Sequence, residues 1–360
     1  MLLSVVRGVD RMTTAWIVGD CWIPKAPPPV EWVHHWAEQP PTLFIANLEG
    51  SVPASPQRVG RRSLLSLDPC RLRDLAVSKT TICVLANNHV TDYGPAGVLA
   101  TLQAVREAGM QPLGAGATLQ EARQPVILQV GDRRLGLLAY ADSREHVGSW
   151  AAGETTPGVA PLFAEWVVDD VSRLRHSVDD LWLFLHWGRE YIRFPEPEQR
   201  ALAREFVRAG ATLVVGTHPH LLQGWERVEG ASVYYSLGNF IFPSVPYADG
   251  TVFRWDSVCR QGIILKGVLE SNGWQWSPIP HRADRDGNPR NPGPQARKTI
   301  LSTIAWLSGA LDNAYLQRYP YLLRKEYFLS RVRRLMMMGW GEWLRLPPRL
   351  LKHWSDRFRS

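Results

Sequence analysis

The sequence predicts an α/β fold built around a mixed sheet, and three observations carry that expectation. Short continuous apolar runs recur along the chain, helical segments separate them, and one pair of runs has hairpin spacing. The runs occupy residues 16–18, 43–46, 82–86, 135–140, 181–185, 213–215 and 233–236. Each has the length of a strand buried on both faces, and β-branched or aromatic residues are frequent in them. Helical segments fall at residues 69–77, 95–108, 163–175 and 197–209. Pro95 and Pro197 stand where a first helical turn tolerates a missing N–H, and Gly109 and Gly210 stand where helices stop. Residues 126–130 and 133–140, joined by Gly131 and Asp132, read as a hairpin, so the sheet is mixed rather than wholly parallel.

Bulk properties bound the class. A chain of 360 residues with 45% hydrophobic and 21% charged content is an ordinary globular protein, long enough to bury a large core without disulfide staples. Its four cysteines (Cys21, Cys70, Cys83 and Cys259) form no CxxC pair and suggest neither a disulfide framework nor a zinc ribbon. Residues 1–13 read as an extension whose apolar run is too short for a secretory leader, and no run approaches a membrane span. A cytoplasmic location is the resulting expectation. Residues 14–278 form the main domain. Residues 279–297, rich in Pro, Gly, Asn, Asp and Arg, read as a linker or loop, and residues 298–360 as a basic amphipathic helical tail interrupted at Pro320. The net charge of +7 is concentrated there: residues 297–360 hold 13 Lys+Arg against 4 Asp+Glu, which leaves the rest of the chain slightly acidic. The basicity therefore says nothing about the substrate of the main domain.

The residues that follow the strands carry the chemistry. Run 16–18 leads into Asp20, run 43–46 into Glu49, and run 82–86 into Asn87, Asn88 and His89. Run 181–185 leads into His186 and Glu190, and run 213–215 into His218 and His220. In open α/β sheets ligands gather beyond the carboxyl ends of strands, so these side chains should converge on one cleft. Carboxylates mixed with imidazoles suit Mn, Zn or Fe better than Mg or Ca. Two divalent ions about 3.5–4 Å apart need a bridging carboxylate, for which Glu49 is the natural candidate. A lone Asn-His pair could cap a helix, and a lone His-Pro-His could be a buried turn. Five such strand ends together read as a metal site.

At these residues the chain resembles the CapA family of capsule and poly-γ-glutamate biosynthesis proteins, which belongs to the calcineurin-like metallophosphoesterases. The resemblance rests on six ordered motifs, GD, NLEG, ANNHxxDYG, HWGxEY, GTHPHxxQ and SLGNF, and runs from about residue 15 to about residue 270. It implies a four-layer α/β/β/α sandwich with one or two divalent ions. It implies Asp20 and His220 on a first metal, Glu49 as the bridge, Asn88, His186 and His218 on a second, and His89 as the catalytic histidine. Asn87, Asp92, Glu190 and Asn239 are candidates to orient ligands or substrate. Typical metallophosphoesterases carry a histidine two residues after the first aspartate. Trp22 stands there, which leaves the first metal short of a ligand unless the neighbouring Cys21 helps.

Two functions compete at this level. One is a metal-dependent hydrolase of a phosphoester or related bond in capsule, exopolysaccharide or polyglutamate metabolism, acting on a phosphorylated or polymer-related substrate. The other is a non-catalytic accessory protein that binds polymer within an assembly complex. The tail adds a peripheral expectation: Leu350, Trp354 and Phe358 at helical spacing among Arg349, Lys352, Arg357 and Arg359 suit an anionic membrane surface, with packing on the core or a dimer contact as the competing reading. No nucleic-acid-binding module accompanies the charge.

Overall fold

The computed structural model describes residues 4–6, 13–25, 40–54, 64–142, 151–246 and 252–338, with backbone alone at 4–6 and 334–338. Two mixed sheets dominate them. The first is ordered Pro289–Arg290, Gly273–Ala283, Gln261–Glu270, Thr14–Cys21, Leu43–Leu48, Thr80–Val84, Gln111–Leu113. The second is ordered Ser4–Val6, Val126–Val130, Arg133–Ala141, Asp180–His186, Leu213–Thr217, Ala231–Tyr234, Trp225–Val228. The expected hairpin is present, with Val126–Val130 antiparallel to Arg133–Ala141.

Alternation along the central strands explains how the layers stack. In the second sheet Trp182, Phe184, Leu213, Val215, Leu135 and Leu137 face the first sheet and share one core with it. Their neighbours Leu181, Leu183, Leu185, Val214 and Leu138 point the other way, into a second core with Val167 and Val171 of helix Ala164–Arg175 and Phe206 of helix Pro197–Ala209. Trp182 marks the contact between sheets: its ring lies edge-on, 4.9 Å from both Trp274 and Trp276. Helix Gly94–Glu107, with Val98, Leu102 and Val105 buried, packs beside Gln111–Leu113. The result is the helix, sheet, sheet, helix sandwich.

Two expectations are corrected, and one pair of alternatives is resolved. Residues 69–77 form a 3₁₀ helix, Pro69–Leu75, whose N-cap Asp68 accepts from the Cys70 amide at 3.0 Å. The segment read as a linker begins and ends in regular structure, with a turn between two strands and then the start of a helix. Residues 279–283 finish strand Gly273–Ala283, and Pro289–Arg290 pairs with its end. Pro278 and Pro280 sit two residues apart, near the edge of the sheet, where a missing N–H is tolerated. Up to residue 338 the C-terminal region packs on the core, one of the two readings weighed for it. Helix Pro294–Gly309 buries Ile300, Ile304 and Leu307, and helix Tyr315–Met338 continues through Pro320 with Tyr315, Glu326 and Arg333 buried. Leu350, Trp354, Phe358 and the basic residues around them lie outside the described residues. Among the described residues no helix is long and apolar enough to cross a membrane.

His281, fully buried with its ring 5.0 Å from Phe240, gives the fold an acid-side signature. Burial pushes its pKa from 6.5 down to about 3. Below pH 6.5 the unfolded chain takes up a proton that the folded chain refuses, so stability present above 6.5 is lost as pH falls toward 3. In urea titrations across that window, His281→Leu should flatten the pH slope by up to about 1.4 kcal/mol per pH unit relative to the parent. Parallel slopes for the two proteins would show that His281 does not set it.

Candidate metal centre

Five parallel strands deliver the functional side chains to one edge. Thr14–Cys21, Leu43–Leu48 and Thr80–Val84 run parallel in the first sheet, and Asp180–His186 and Leu213–Thr217 run parallel in the second. A bulge in the first pair places Val18 opposite Ala46 but Asp20 opposite Asn47. Asn47 Nδ2 consequently donates to Asp20 Oδ1 at 2.7 Å and lies 3.5 Å from His186 Nδ1.

A third segment threads between the sheet ends. Asp20 N–H donates to Gly238 O, Leu237 N–H donates to Gly216 O, and Asn239–Ile241 pairs with the end of the Asp20 strand. Only glycine allows this approach. A Cβ on Gly19 would lie 1.8 Å from Gly238 O, and one on Gly216 would lie 2.0 Å from Tyr235 O. The SLGNF motif thus carries Asn239 between the two sheets.

Asp20 and Glu49 are completely buried, and ligating atoms of Asp20, Glu49 and His186 all lie within 4.8 Å of one another. Around them, His220 Nδ1 is 3.4 Å from Asp20 Oδ2, and its Nε2 is 3.7 Å from Glu49 Oε1. His218 donates its backbone N–H to Asp20 Oδ2, and its ring is 4.6 Å from that of His186. Asn88 Oδ1 is 2.9 Å from His186 Nε2. His89 Nε2 is 3.8 Å from Glu49 Oε1, while its Nδ1 is 2.8 Å from Asp92 Oδ2. The structure therefore brings together all seven residues singled out as ligands or catalyst.

The supporting residues have distinct contacts. Asn239 Nδ2 donates to Cys259 O, so its Oδ1, 2.8 Å from His220 Nδ1, is the acceptor. That places the His220 proton on Nδ1 and a lone pair on Nε2, the nitrogen facing Glu49. Asn87 fixes the turn: its Nδ2 donates to Leu48 O and its Oδ1 accepts from the His89 and Val90 amides. Asp92 holds His89 and also accepts from the Leu65 amide, each at 2.8 Å. Glu190 is half-buried, and its charge favours protonated His220. Sequence reasoning missed Asn47 and Thr217, whose hydroxyl is 3.1 Å from His186 Nδ1. Both lie inside motifs already recognised. Cys21 packs in the apolar core, with its thiol 3.5 Å from Gly19 O and burial holding it well above the usual thiol range. Trp22 turns its indole N–H to Ser66 O at 2.9 Å.

The electrostatics fit a cation. Burial pushes the Asp20 carboxyl upward against the opposing pull of His220, His218 and Asn47, and burial pushes His220 downward. Each group is driven toward its neutral form, a cost that a divalent ion among them reverses. Metal–ligand bonds of about 2.0–2.2 Å put neighbouring donors about 3–3.5 Å apart, close to the 2.9 Å between His186 Nε2 and Asn88 Oδ1 and the 3.7 Å between His220 Nε2 and Glu49 Oε1. Asn47 Oδ1 is buried with no hydrogen-bond partner among the described residues. Strained backbone accompanies the site, with φ of +96° at His218 and +54° at His220.

Two facing mixed sheets with carboxylates and imidazoles at their strand ends define an α/β sandwich bearing a candidate metal site. The chain belongs to the bacterial capsule synthesis protein family PGA_cap, whose family model matches residues 25–244. It is 35% identical over 218 residues to the capsule biosynthesis protein CapA of Bacillus anthracis, covering 58% of this chain and 51% of that protein. It is 28% identical over 242 residues to a probable polyglutamine synthesis accessory protein of Mycobacterium tuberculosis, covering 60% and 62%. The chain thus spans about half to three fifths of the length of these relatives. Among solved structures, the calcineurin-like phosphoesterase YfkN of Bacillus subtilis is similar at TM-score 0.37 and 13% identity over 88% of this chain and 99% of that one.

Elemental analysis of protein supplied with Mn²⁺ or Zn²⁺ should find bound divalent metal, and His186→Ala or His218→Ala should abolish much of it. Asn47→Ala should weaken affinity about 10–100-fold, as expected for a residue that orients ligands. Protein that takes up neither metal would contradict the site.

Proposed function

We propose that the protein is a metal-dependent hydrolase that cleaves a phosphoester or related bond in capsule or polyglutamate metabolism. The observation that carries this reading is the His89–Asp92 pair. A ligand-binding pocket needs donors that face the cation, but His89 is built differently. Its Nδ1 is 2.8 Å from the Asp92 carboxylate, its Nε2 points toward Glu49 at 3.8 Å, and the residue is 8% exposed. A carboxylate only accepts, so Asp92 places one proton on Nδ1 and sets the ring orientation. Nε2 is then free to hold or release a second proton toward whatever sits over Glu49 and Asp20.

Divalent metal held by Asp20, Glu49, Asn88, His186, His218 and His220 would activate water and stabilise the negative charge of a displacement. The chain's own residues do the rest. Asn239 holds His220, and Asn47 and Thr217 hold Asp20 and His186, so the donor set is oriented before substrate arrives. His89 delivers a proton to the leaving oxygen from its edge of the pocket. The mycobacterial relative, a probable polyglutamine synthesis accessory protein, supports a second reading, in which the same pocket binds polymer as part of an assembly complex without turnover.

Steady-state hydrolysis of bis(p-nitrophenyl) phosphate by the Mn²⁺-loaded protein separates the two. His89→Ala should retain metal and lose about 10²–10⁴-fold in kcat. Asp92→Asn should also retain metal while slowing turnover. Absence of turnover across phosphomonoesters and phosphodiesters, or a His89→Ala rate equal to the parent, would favour the accessory reading.

A further inference from the structure

The C-terminal helix reaches the metal centre through one buried arginine. Arg333 is 8% exposed although it belongs to the most basic part of the chain. Its Nη1 donates to Tyr191 O at 3.2 Å and lies 3.5 Å from Glu326 Oε2, and its Nε lies 3.9 Å from Asp256 Oδ2. Glu326, at 0% exposure, is gripped in turn by Arg193, whose backbone N–H and guanidinium both donate to it, the shortest contact at 2.7 Å. Burying such a network costs several kcal/mol per ion unless geometry and hydrogen bonds compensate. It specifies the register of this helix against the loop that follows strand Asp180–His186.

Two short paths lead from Arg333 to the ligand turn. In the first, Tyr191 holds a left-handed conformation, φ +63°, and donates its N–H at 2.9 Å to the carbonyl of Pro219, the residue between His218 and His220. In the second, Asp256 Oδ1 accepts from the Val258 and Cys259 amides at 2.9 and 2.7 Å. Cys259 O accepts from Asn239 Nδ2 at 3.3 Å, and Asn239 Oδ1 holds His220 Nδ1 at 2.8 Å. A non-glycine residue at positive φ persists where its surroundings hold it, and Arg333 caps the carbonyl of that residue. The Tyr191 ring also lies 6.1 Å from the His220 ring.

The geometry points to Arg333 as a positioning residue for the metal centre: seated by Glu326, it fixes Tyr191 and Asp256, and through them the His218–His220 turn. The C-terminal helix is then a working part of the site, and its docking sets the affinity for the cation. This inference rests on the metal-site reading for its affinity arm alone. Its structural arm stands without metal.

The test uses the full chain carrying Arg333→Met, which keeps the volume and removes the donors, with Arg333→Lys as the partial rescue and Glu326→Gln as the second route to the same disconnection. Mn²⁺ affinity by titration calorimetry should fall about 10–100-fold for Arg333→Met, the range for residues that orient ligands, and recover in part for Arg333→Lys. In metal-free protein, hydrogen exchange should quicken in peptides spanning 187–223 while peptides of strand Leu43–Leu48 stay protected. A folded Arg333→Met protein with parental exchange at 187–223 and parental Mn²⁺ affinity overturns the proposal. If Arg333→Met fails to fold, Arg333→Lys and Glu326→Gln carry the same comparison. A parent chain that binds no Mn²⁺ removes the metal reading, and the exchange result then decides the positioning role by itself.

Discussion

Two carboxylates held out of water at the meeting point of two sheets set the terms for this structure. Asp20 and Glu49 have no exposed surface, and the groups around them are imidazoles and amides rather than arginines or lysines. An uncompensated buried carboxylate is among the most unfavourable features a fold can carry. The polar groups around them favour the charged forms without overcoming burial: Asn47, the His218 amide and the His220 ring contact Asp20, and His89 and His220 approach Glu49. A pocket of this composition is poised for a divalent cation, and its rigidity comes from the sheets behind it.

Strand geometry explains why the pocket can be built from distant sequence. Parallel strands end at one edge, and two such sheets facing each other bring five ends together. The bulge before Asp20 and the close passes at Gly19 and Gly216 then bring Asn47 and Asn239 into contact with the ligands. Each device is local, but its effect appears only when the sheets are packed, as the Trp182, Trp274 and Trp276 contact packs them.

This division also explains what the sequence made legible. The apolar runs and the polar residues after them are chain-local, so the central strands and all seven central side chains could be read directly, whereas strands Gln261–Glu270 and Gly273–Ala283 were not among the runs. Asn47 and Thr217 could not be chosen from their motifs, because their partners depend on a bulge and on the pairing of strands within each sheet. Asp92 read as a candidate to orient ligands or substrate, but its partner His89 could not be chosen because that contact is one of side-chain direction. Residues 279–283 read as linker because Pro and Arg suit loops and sheet edges alike. The basic C-terminal segment left a membrane-facing helix and packing on the core both open, because composition does not reveal that Arg333 and Glu326 are buried together.

The central claim is that these strand ends form one cation-binding pocket, and the most direct measurement is anomalous diffraction from crystals grown with Mn²⁺. The account predicts one or two anomalous peaks within about 2.0–2.3 Å of donor atoms from Glu49 and from both sheets, Asp20 on one side and His186 on the other. Crystals without a peak among these residues at full Mn²⁺ exposure, or with a peak held only by surface carboxylates, would contradict it.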